Sequence, residues 1–311
     1  MIETKPFTKI DFAPVTLEVK RLYEAHLAKE GARGCEFSFA NVYMWGEQKY
    51  AVLFDHIILF SRFGRRNIYP YPLGNGDKKA VLDLIIADAG ARGIPCILTG
   101  LSDAARETVE TLYPERFQFY YDDGSFDYVY AIDDLAELKG KKYHGKRNHL
   151  NRFLAEFPDY TVEALDESNL SAVKRMAEQW YASRTGEDTE ADFYMEKEAL
   201  AKAFDAYRAL EMEGLVLRNG DDVLAFTLAS RLSDDTFDVH FEKARPDAPG
   251  AYTAINYELA RHIRSKYPDV LYLDREEDMG IEGLRKAKQS YHPHHMVRKC
   301  RACLLEDGYD S

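Results

Sequence analysis

Apolar residues recur along this chain at two spacings, which separate the predicted helices from the predicted strands. Apolar positions three and four residues apart share one face of a helix. Short alternating or continuous apolar runs between turn residues are typical of strands. The predicted helices cover residues 16–29, 77–92, 102–113, 141–157, 168–183, 193–210, 251–266 and 281–289. The predicted strands cover residues 50–54, 56–63, 67–71, 95–101, 117–121, 126–132, 160–164, 213–218, 223–231, 236–243, 270–274 and 296–303.

The order of these elements predicts an α+β protein with two domains of similar layout. Strands 117–121 and 126–132 are expected to pair around an Asp-Asp-Gly turn, and the strands between residues 213 and 243 to form an antiparallel meander. A length of 311 residues fits two domains of about 150 residues each. We predict an N-terminal domain over residues 1–132 and a C-terminal domain over residues 133–311, each a mixed sheet flanked by helices.

The composition is that of a globular protein. Apolar residues make up 46% of the chain and aromatic residues 13%, which is enough for real cores and argues against disorder. The first residues lack a basic region followed by an apolar run, and the longest apolar stretches (51–54 and 57–60) are too short to span a bilayer. We therefore expect a soluble, cytoplasmic protein without a membrane span. Four cysteines in a chain of this length do not indicate a disulfide framework.

A basic stretch inside an acidic chain is the first candidate for chemistry. The net charge is -12, yet residues 139–152 contain six Lys or Arg and no acid. In the helix predicted there, one face is apolar and the remaining surface carries Lys142, Lys146, Arg147 and Asn148. A local positive field suggests an anionic ligand such as a phosphate, a nucleotide or the end of a nucleic acid. The alternative is a solvated basic surface on an amphipathic helix.

The second candidate is the helix start at Gly250. A helix N-terminus offers free backbone N–H groups and the positive end of the helix dipole, and a glycine there lets an anion approach closely. Asp247 would repel such an anion, and glycine is common at helix starts. Gly250 is thus either part of an anion site or an ordinary helix start.

The third candidate follows strand 270–274, because the ends of strands often carry sites in mixed α/β folds. Asp274, Glu276 and Asp278 are the candidates for a general base that deprotonates an amine. In the helix that follows, Arg285 and Lys288 are the candidates for holding anionic groups. The alternative is a solvated acidic loop that faces the basic residues of that helix.

Three further residues are predicted to line a cleft. His240 and Glu242 alternate on one strand with Asp238, and Tyr291 lies near the end of the stretch that carries the acidic residues. The alternative for the two strand residues is a solvated face of the sheet. No metal site is predicted: in a strand, Cys300 and Cys303 would point to opposite faces, although the nearby histidines are residue types that suit zinc.

Several segments together resemble stand-alone bacterial proteins related to the C-terminal domain of lysylphosphatidylglycerol synthases. The segments are KKYHGKRNHLNRF (141–153), VHFEKA (239–244) with GAYTAINYELA (250–260), and LDREEDMGIEGLRKAKQSYHP (273–293). The segment CEFSFANVYMW (35–45) is similar to that family as well. In this order the segments cover nearly the whole chain.

The resemblance implies a tandem pair of acetyltransferase-like (GNAT) folds. Fem-type enzymes, which have this doubled fold, move aminoacyl groups from transfer RNA onto amines of peptidoglycan precursors, and the lipid-modifying relatives move them onto phosphatidylglycerol. The basic helix at residues 141–152 is similar to the Fem segment between the two domains. The resemblance thus implies an acyl- or aminoacyl-transferase that uses aminoacyl-tRNA or acyl-CoA as co-substrate and an amine or hydroxyl group as acceptor.

Two alternatives stay open. One is an acetyl-CoA-dependent N-acetyltransferase, although acetyltransferases hold the CoA pyrophosphate with a Gln/Arg-x-x-Gly-x-Gly/Ala loop and residues 245–251 have only one glycine. The other is a non-enzymatic module that binds a ligand or partner through the same cleft.

Overall fold

Helices and strands follow one another largely as the apolar spacing predicts, and they build two separate sheets. The computed structural model describes residues 9–183 and 190–305. These residues divide into a first unit, residues 9–125 and 297–305, and a second unit, the described residues from 126 to 296.

The elements are numbered here in chain order. Before residue 126 they are β1 (Ala13–Pro14), α1 (Lys20–Glu30), α2 (Phe39–Met44), β2 (Glu47–Leu53), β3 (His56–Phe63), β4 (Arg66–Pro70), β5 (Leu73–Gly74), α3 (Lys78–Arg92), β6 (Ile97–Leu101), α4 (Asp103–Leu112) and β7 (Phe117–Tyr121). After it they are β8 (Asp127–Ala131), α5 (Ile132–Glu137), α6 (His144–Glu156), β9 (Thr161–Ala164), α7 (Leu170–Ala182), α8 (Glu190–Ala206), β10 (Glu213–Asn219), β11 (Asp222–Arg231), β12 (Thr236–Ala244), α9 (Ala251–Lys266), β13 (Tyr272–Asp274), α10 (Glu282–Gln289), β14 (His295–Val297) and β15 (Cys300–Leu304). Short 3₁₀ turns lie at Leu17–Val19, Cys35–Phe37, Asp123–Ser125 and Lys141–Tyr143.

The first unit contains a mixed sheet in the order β1-β2-β3-β4-β6-β15-β7, with β5 paired to β3. Strands β4 and β6 are parallel, while β15 runs antiparallel to both β6 and β7. The aromatic segment that begins at Cys35 forms a 3₁₀ turn and the short helix α2.

The second unit contains a mixed sheet in the order β14-β8-β13-β12-β11-β10-β9. The predicted meander is confirmed, because β10, β11 and β12 pair antiparallel in sequence. Strand β13 is parallel to β12, with Asp238 beside Asp274. Helix α9 connects these two parallel strands, as the parallel pairing requires.

The predicted hairpin of strands 117–121 and 126–132 is wrong. Strand β7 pairs with β15 in the first sheet, and β8 pairs with β13 in the second, with Tyr130 beside Leu273. Alternating aromatic residues satisfy either partner, so the alternation alone did not identify the neighbour.

The boundaries of the two units differ from those of the predicted domains 1–132 and 133–311, because the second unit runs from residue 126 to residue 296. Strand β8 belongs to the second unit although it precedes residue 132, and β15 belongs to the first unit although it is C-terminal. The C-terminal strand therefore completes the sheet that the N-terminal half begins.

Local signals explain where several helices begin and end. The side chains of Asp77 and Ser102 accept hydrogen bonds from the backbone N–H groups of Ala80 and Ala105, which caps α3 and α4. Helix α9 lies on the second sheet with Ile255, a fully buried residue of its core. Helix α6 packs beside α9 in that core through its buried residues Leu150 and Phe153.

Candidate functional site

One cluster of polar side chains in the second unit is centred on Glu242 of β12. The Nη2 atom of Arg275 donates to Glu242 Oε1 at 2.8 Å, and Asn256 Nδ2 of α9 donates to Oε2 at 3.4 Å. We use the name Glu242 cluster for Lys146, Glu242, Asn256, Arg275 and Tyr291. Strand β12, helices α6 and α9, and the segment after β13 each contribute to it.

The Tyr291 ring contacts both cations of the cluster. Lys146 Nζ lies 3.5 Å from the ring centroid, and the guanidinium carbon of Arg275 lies 4.8 Å from it. Both are cation–π distances. The Tyr291 hydroxyl donates to Thr253 Oγ1 at 3.4 Å, which ties the ring to α9.

Lys146 is the cation of this cluster whose pKa is lowered. Burial, followed by repulsion from Arg275, lowers the pKa of Lys146 to about 8, while the Glu242 carboxylate acts in the opposite direction. Burial in a medium of low polarity disfavours the charged form of a lysine, and a second cation nearby does the same. A measurable share of Lys146 is therefore uncharged near neutral pH.

The Glu242 cluster holds more hydrogen-bonding capacity than it uses. Across residues 9–183 and 190–305, Lys146 Nζ has no hydrogen-bond or ion-pair partner, and Arg275 Nη1 and Asn256 Oδ1 are buried without one. Thr227 Oγ1, on the strand position opposite Glu242, is in the same state. A buried polar atom without a partner costs about 1 to 3 kcal/mol, so such a concentration of them indicates a place for a ligand.

The predicted residues Asp278 and Arg285 lie in a different and saturated arrangement. Arg285 donates to both carboxylate oxygens of Asp278, at 2.8 and 3.1 Å, and Tyr128 Oη and Gly280 N donate to it as well. The bond from Arg285, then those from Tyr128 and Gly280, outweigh burial and lower the pKa of Asp278 to about 2. A carboxylate with this pKa is a weak base, so the structure favours a structural role for Asp278.

Lys288 supports the segment that carries Arg275. Its Nζ donates to the backbone carbonyls of Arg275 and Glu276, the latter at 3.1 Å. Glu276 has a φ of 57°, in the left-handed region that few non-glycine residues adopt. Lys288 thereby stabilises an unfavourable backbone turn, and its side chain points to the protein rather than to an anion.

Of the four basic-helix candidates, only Lys146 lies in the Glu242 cluster. Lys142 is exposed and pairs with Asp134 at 3.0 Å. Arg147 donates to the carbonyls of Leu138 and Gly140, the latter at 2.8 Å, and so holds the chain before α6. Asn148 is exposed, with its amide 3.4 Å from His144.

Gly250 is explained by packing. Its φ is 81°, and a Cβ atom there would lie 2.2 Å from the His149 carbonyl oxygen of α6. The glycine thus allows α6 to approach the start of α9. In the loop before it, Arg245 is paired with Asp247 at 2.6 and 2.9 Å. The space that a side chain at position 250 would need is occupied by α6.

His240 and Glu242 do not line one cleft, because a β-bulge at His240 separates them. Thr227 is opposite Glu242 and Ser230 is opposite Asp238, so β12 has one residue more than β11 between them. Residues three apart on β11 point to opposite faces of the sheet. His240 Nε2 lies 2.8 Å from Ser230 Oγ, on the face away from Glu242.

Asp274 and Glu276 belong to the His240 side. Glu276 Oε1 lies 3.2 Å from His240 Nδ1, and Asp274 Oδ1 accepts from the Glu276 backbone N–H at 2.8 Å. Asp238, His240 and Glu276 offer ligand atoms within 4.8 Å of one another, a set that can hold a cation or share protons. Among the predicted site residues, His240, Asp274 and Glu276 thus lie on one face of the sheet. Glu242 lies on the other face, in the cluster that also contains Lys146 and Tyr291.

Sequence reasoning missed Arg275, Asn256 and Thr227. Arg275 lies in the run Asp274 to Asp278, in which only carboxylates were predicted as site residues. Asn256 is 1% exposed within the apolar face of α9, and Thr227 is fully buried in β11. For Asn256 and Thr227, the signal in the sequence is a polar residue at a position that faces the core, because polar residues lie mostly at the surface.

Comparison with known proteins agrees with this picture of the fold. The family model described as phosphatidylglycerol lysyltransferase, C-terminal, matches residues 28–303. A curated relative, an uncharacterized protein of Mycoplasmoides gallisepticum, is 23% identical over 181 residues, which are 57% of this chain and 56% of that protein. The chain thus spans about half the length of that relative.

Three solved structures share the fold. A conserved protein of unknown function from Bacteroides thetaiotaomicron is 36% identical, with a TM-score of 0.88, over 95% of this chain and all of that one. L-PGS from Bacillus licheniformis is 16% identical, with a TM-score of 0.63, over 93% of each chain. FemX is 10% identical, with a TM-score of 0.62, over 95% of this chain and 98% of its own.

These likenesses confirm the predicted fold, an α+β protein of two acetyltransferase-like units in tandem, each with a mixed sheet flanked by helices. Among the residues that the structure describes, no helix combines the length and apolar character needed to cross a bilayer. The match over 28–303 extends through most of both units, and it includes every residue of the Glu242 cluster. The chain belongs to the phosphatidylglycerol lysyltransferase C-terminal family.

Proposed function

We propose that this protein transfers an aminoacyl or related acyl group from an activated ester to an amine or hydroxyl acceptor, with the chemistry at the Glu242 cluster. The family and the fold support the class of reaction, that of an aminoacyl-transferase-like GNAT protein. The donor that we propose is an aminoacyl-tRNA, in line with the resemblance to Fem-type enzymes. The acceptor would be a small-molecule or peptide amine, or a hydroxyl group.

The single observation that carries this proposal is the convergence of unused donors and acceptors around Glu242. Acyl transfer needs hydrogen-bond donors where the carbonyl oxygen becomes negative. Arg275 Nη1 and Lys146 Nζ are such donors, and neither has a hydrogen-bond partner among the residues that the structure describes. Asn256 Oδ1 and the remaining lone pairs of Glu242 can accept hydrogen bonds from an ammonium or amine of either substrate.

The remaining predicted residues take supporting roles in this proposal. Lys288 positions Arg275 through the backbone carbonyl that it binds, and Tyr291 positions both cations. Asp274 and Glu276 lie on the His240 side, where they remain candidates for a base only if the acceptor approaches from that face. The exposed side chains of Lys142 and Asn148 are available for the phosphates of a long donor.

The experiment compares tRNA that carries amino acids with the same tRNA after its esters have been hydrolysed. Thermal unfolding of the full chain is followed with each, at low and at physiological salt, since a ligand that binds the native state raises the melting temperature. We expect a larger rise with charged tRNA, and a loss of part of the rise at higher salt as phosphate contacts weaken. An equal response to the two tRNA samples would contradict an aminoacyl donor.

A matched pair of variants locates the effect. Lys146→Met should weaken the binding of charged tRNA about tenfold or more, because a charge-assisted contact in a partly buried site is worth at least about 1.4 kcal/mol. Lys142→Met removes a lysine from the 3₁₀ turn just before that helix, but one that is exposed and paired with Asp134, and should change binding less.

Two other results would redirect the proposal. Stabilisation by acetyl-CoA alone would favour the acetyltransferase, despite the Arg245–Asp247 pair and the packing of Gly250 against α6. Tight binding of charged tRNA without loss of its ester bond, with lipid and amine acceptors present, would favour a binding module.

A further inference from the structure

We propose that Lys146 is itself an acyl acceptor, a site at which the protein becomes covalently acylated by activated esters or thioesters that reach the Glu242 cluster. This goes beyond the proposed transfer, because the acyl group ends on the protein. It depends on the geometry of the cluster and on no particular donor.

The first support is that the Lys146 amine is not committed to another group. Lys142 forms an ion pair with Asp134, and Lys288 donates to two backbone carbonyls. Across the two described ranges of the chain, Lys146 Nζ has no such partner and only rests over the Tyr291 ring. Its lone pair, once the proton has left, is free to attack.

The second support is the set of charged groups that face it. Arg275, from the segment after β13, repels the ammonium form, whereas Glu242 of β12 and the Tyr291 ring attract it. Burial is the largest cause, and together with Arg275 it lowers the pKa of Lys146 to about 8 against the opposing effect of Glu242. At pH 8 about half of Lys146 is neutral, against well under about 1% of a lysine with the ordinary pKa near 10.4. Desolvation beside another cation is a known way to activate a lysine.

The third support is that the cluster supplies the other parts of an acyl transfer. The neutral Nζ attacks the carbonyl carbon of the ester, and Arg275 Nη1 donates to the oxygen as it becomes negative. The C–N bond forms and the C–O or C–S bond breaks. The amine proton passes by way of the Glu242 carboxylate to the leaving alcohol or thiol, so the products are a neutral amide and a neutral leaving group. Nothing is oxidised or reduced.

The consequence is a change in the charge of the cluster. An acylated Lys146 no longer carries an ammonium, so the donor's anionic part loses a partner and the acyl group fills space beside Tyr291. Acylated protein is therefore expected to bind the donor less well than unmodified protein.

The experiment treats the full chain with p-nitrophenyl acetate and, in a separate series, with acetyl-CoA between pH 6.5 and 9.5. Peptide mass spectrometry gives the acetylated fraction of each lysine over time. We expect Lys146 to react about tenfold faster than Lys142 at pH 8 with at least one of the two reagents, since its neutral fraction is larger although its intrinsic nucleophilicity is somewhat lower. The rate at Lys146 should level off above pH 8, whereas that at Lys142 should keep rising.

The wild-type protein gives the first test, and Lys142, in the 3₁₀ turn just before α6, is the internal control. If Lys146 reacts no faster than Lys142 with either reagent at any pH, the proposal is wrong. Two variants test the cause: Glu242→Gln should move the midpoint of the Lys146 profile to lower pH, and Arg275→Met to higher pH. The same direction of shift in both would also overturn the proposal. The acetylation experiment contains no tRNA, so a negative result in it does not contradict the proposed transfer function. Likewise, a negative result in the tRNA-binding experiment does not contradict the acylation of Lys146.

Discussion

The second unit contains two pairs of a buried carboxylate and an arginine, and they differ in how completely they are hydrogen-bonded. Asp278 receives two bonds from Arg285, one from Tyr128 and one from the Gly280 backbone. Glu242 receives one bond from Arg275 and a longer one from Asn256. The first pair is saturated, while the second leaves Arg275 Nη1 without a partner in the part of the chain that the structure describes.

The contrast shows what separates a structural ion pair from a place for a ligand. Both pairs join a carboxylate to an arginine, and Asp278 and Arg275 are three residues apart in the chain. A saturated pair stabilises the fold in which it lies. An unsaturated one lowers stability until something binds, so its persistence in a protein points to function. The variants below test that contrast by its effects on stability.

The largest effect is expected from Asp278→Asn. The change removes the negative charge opposite Arg285 and one of the two oxygens to which Arg285 donates. It also replaces a carboxylate that accepts four hydrogen bonds. Breaking one partner of a buried pair costs about 3 to 5 kcal/mol, and we expect the free energy of unfolding to fall by about this amount. Urea denaturation followed by circular dichroism measures it.

The control for this variant is Arg285→Met, which removes the other partner of the same pair. The double variant should then cost less than the sum of the two single variants, as coupled neighbours do. Additive costs would show that Asp278 and Arg285 act independently, and the saturated pair would not exist in solution.

A somewhat smaller effect is expected from acid. The pKa of Asp278 is lowered in the folded protein to about 2, chiefly by Arg285, and lies near 3.9 when the chain is unfolded. Its contribution to stability is therefore complete above pH of about 4 and is lost as the pH falls toward 2. The loss amounts to about 2 kcal/mol. The measurement is the drop in the free energy of unfolding between pH 5 and pH 2.5. This drop should be smaller in Asp278→Asn than in the wild type, because the variant has no carboxylate at position 278 to protonate.

Lys146→Met is expected to act in the opposite direction and to stabilise the protein. Below pH 8 Lys146 is charged in both states, and the folded protein carries the cost of its burial beside Arg275. Above pH 8 the folded state releases the proton first, so wild-type stability rises toward pH 10.5 and the advantage of methionine shrinks. At pH 7 we expect a gain of about 1 to 2 kcal/mol, because the lost cation–π contact offsets part of the relief.

Denaturant midpoints of the wild type and Lys146→Met at pH 7 and pH 9.5 measure this gain. Lys142→Met is the matched control, since Lys142 is exposed and ion-paired and should change stability by less than about 0.5 kcal/mol at either pH. A gain at pH 7 that persists undiminished at pH 9.5 would show that its cause is not the charge of Lys146.

How much of this could be predicted depends on whether a feature is local. Helix α9 begins and ends at the predicted residues 251 and 266, because its apolar spacing and the Gly250 start are contained in the segment. Strand β8 was assigned the wrong partner, since its alternation suits either sheet. Lys146 was one of four equivalent candidates on the basic helix, and only the fold shows which one lies over Tyr291.

The bulge at His240 is the clearest limit of sequence reasoning. One extra residue in β12 moves His240 to the face of Ser230 and leaves Glu242 on the face of Lys146 and Asn256. No residue type marks the position of the bulge. In a regular strand, residues two apart share a face, and this rule predicts one cleft for His240 and Glu242. Only the pairing of β12 with β11 shows that the two side chains lie on opposite faces.

The smallest effect is expected at Thr227, and it compares a satisfied with an unsatisfied hydroxyl on one strand. Thr227 Oγ1 is buried without a hydrogen-bond partner among residues 9–183 and 190–305, whereas Ser230 Oγ lies 2.8 Å from His240 Nε2. Thr227→Val should raise the free energy of unfolding by about 1 kcal/mol, because it removes a desolvated polar atom and keeps the shape. Ser230→Ala should lower it by about 1 kcal/mol, since the hydrogen bond between Ser230 Oγ and His240 Nε2 is lost. Both are measured by urea denaturation. If Thr227→Val is instead destabilising, Thr227 has a partner in solution, and the region around Glu242 is less open to a ligand than its unsaturated atoms indicate.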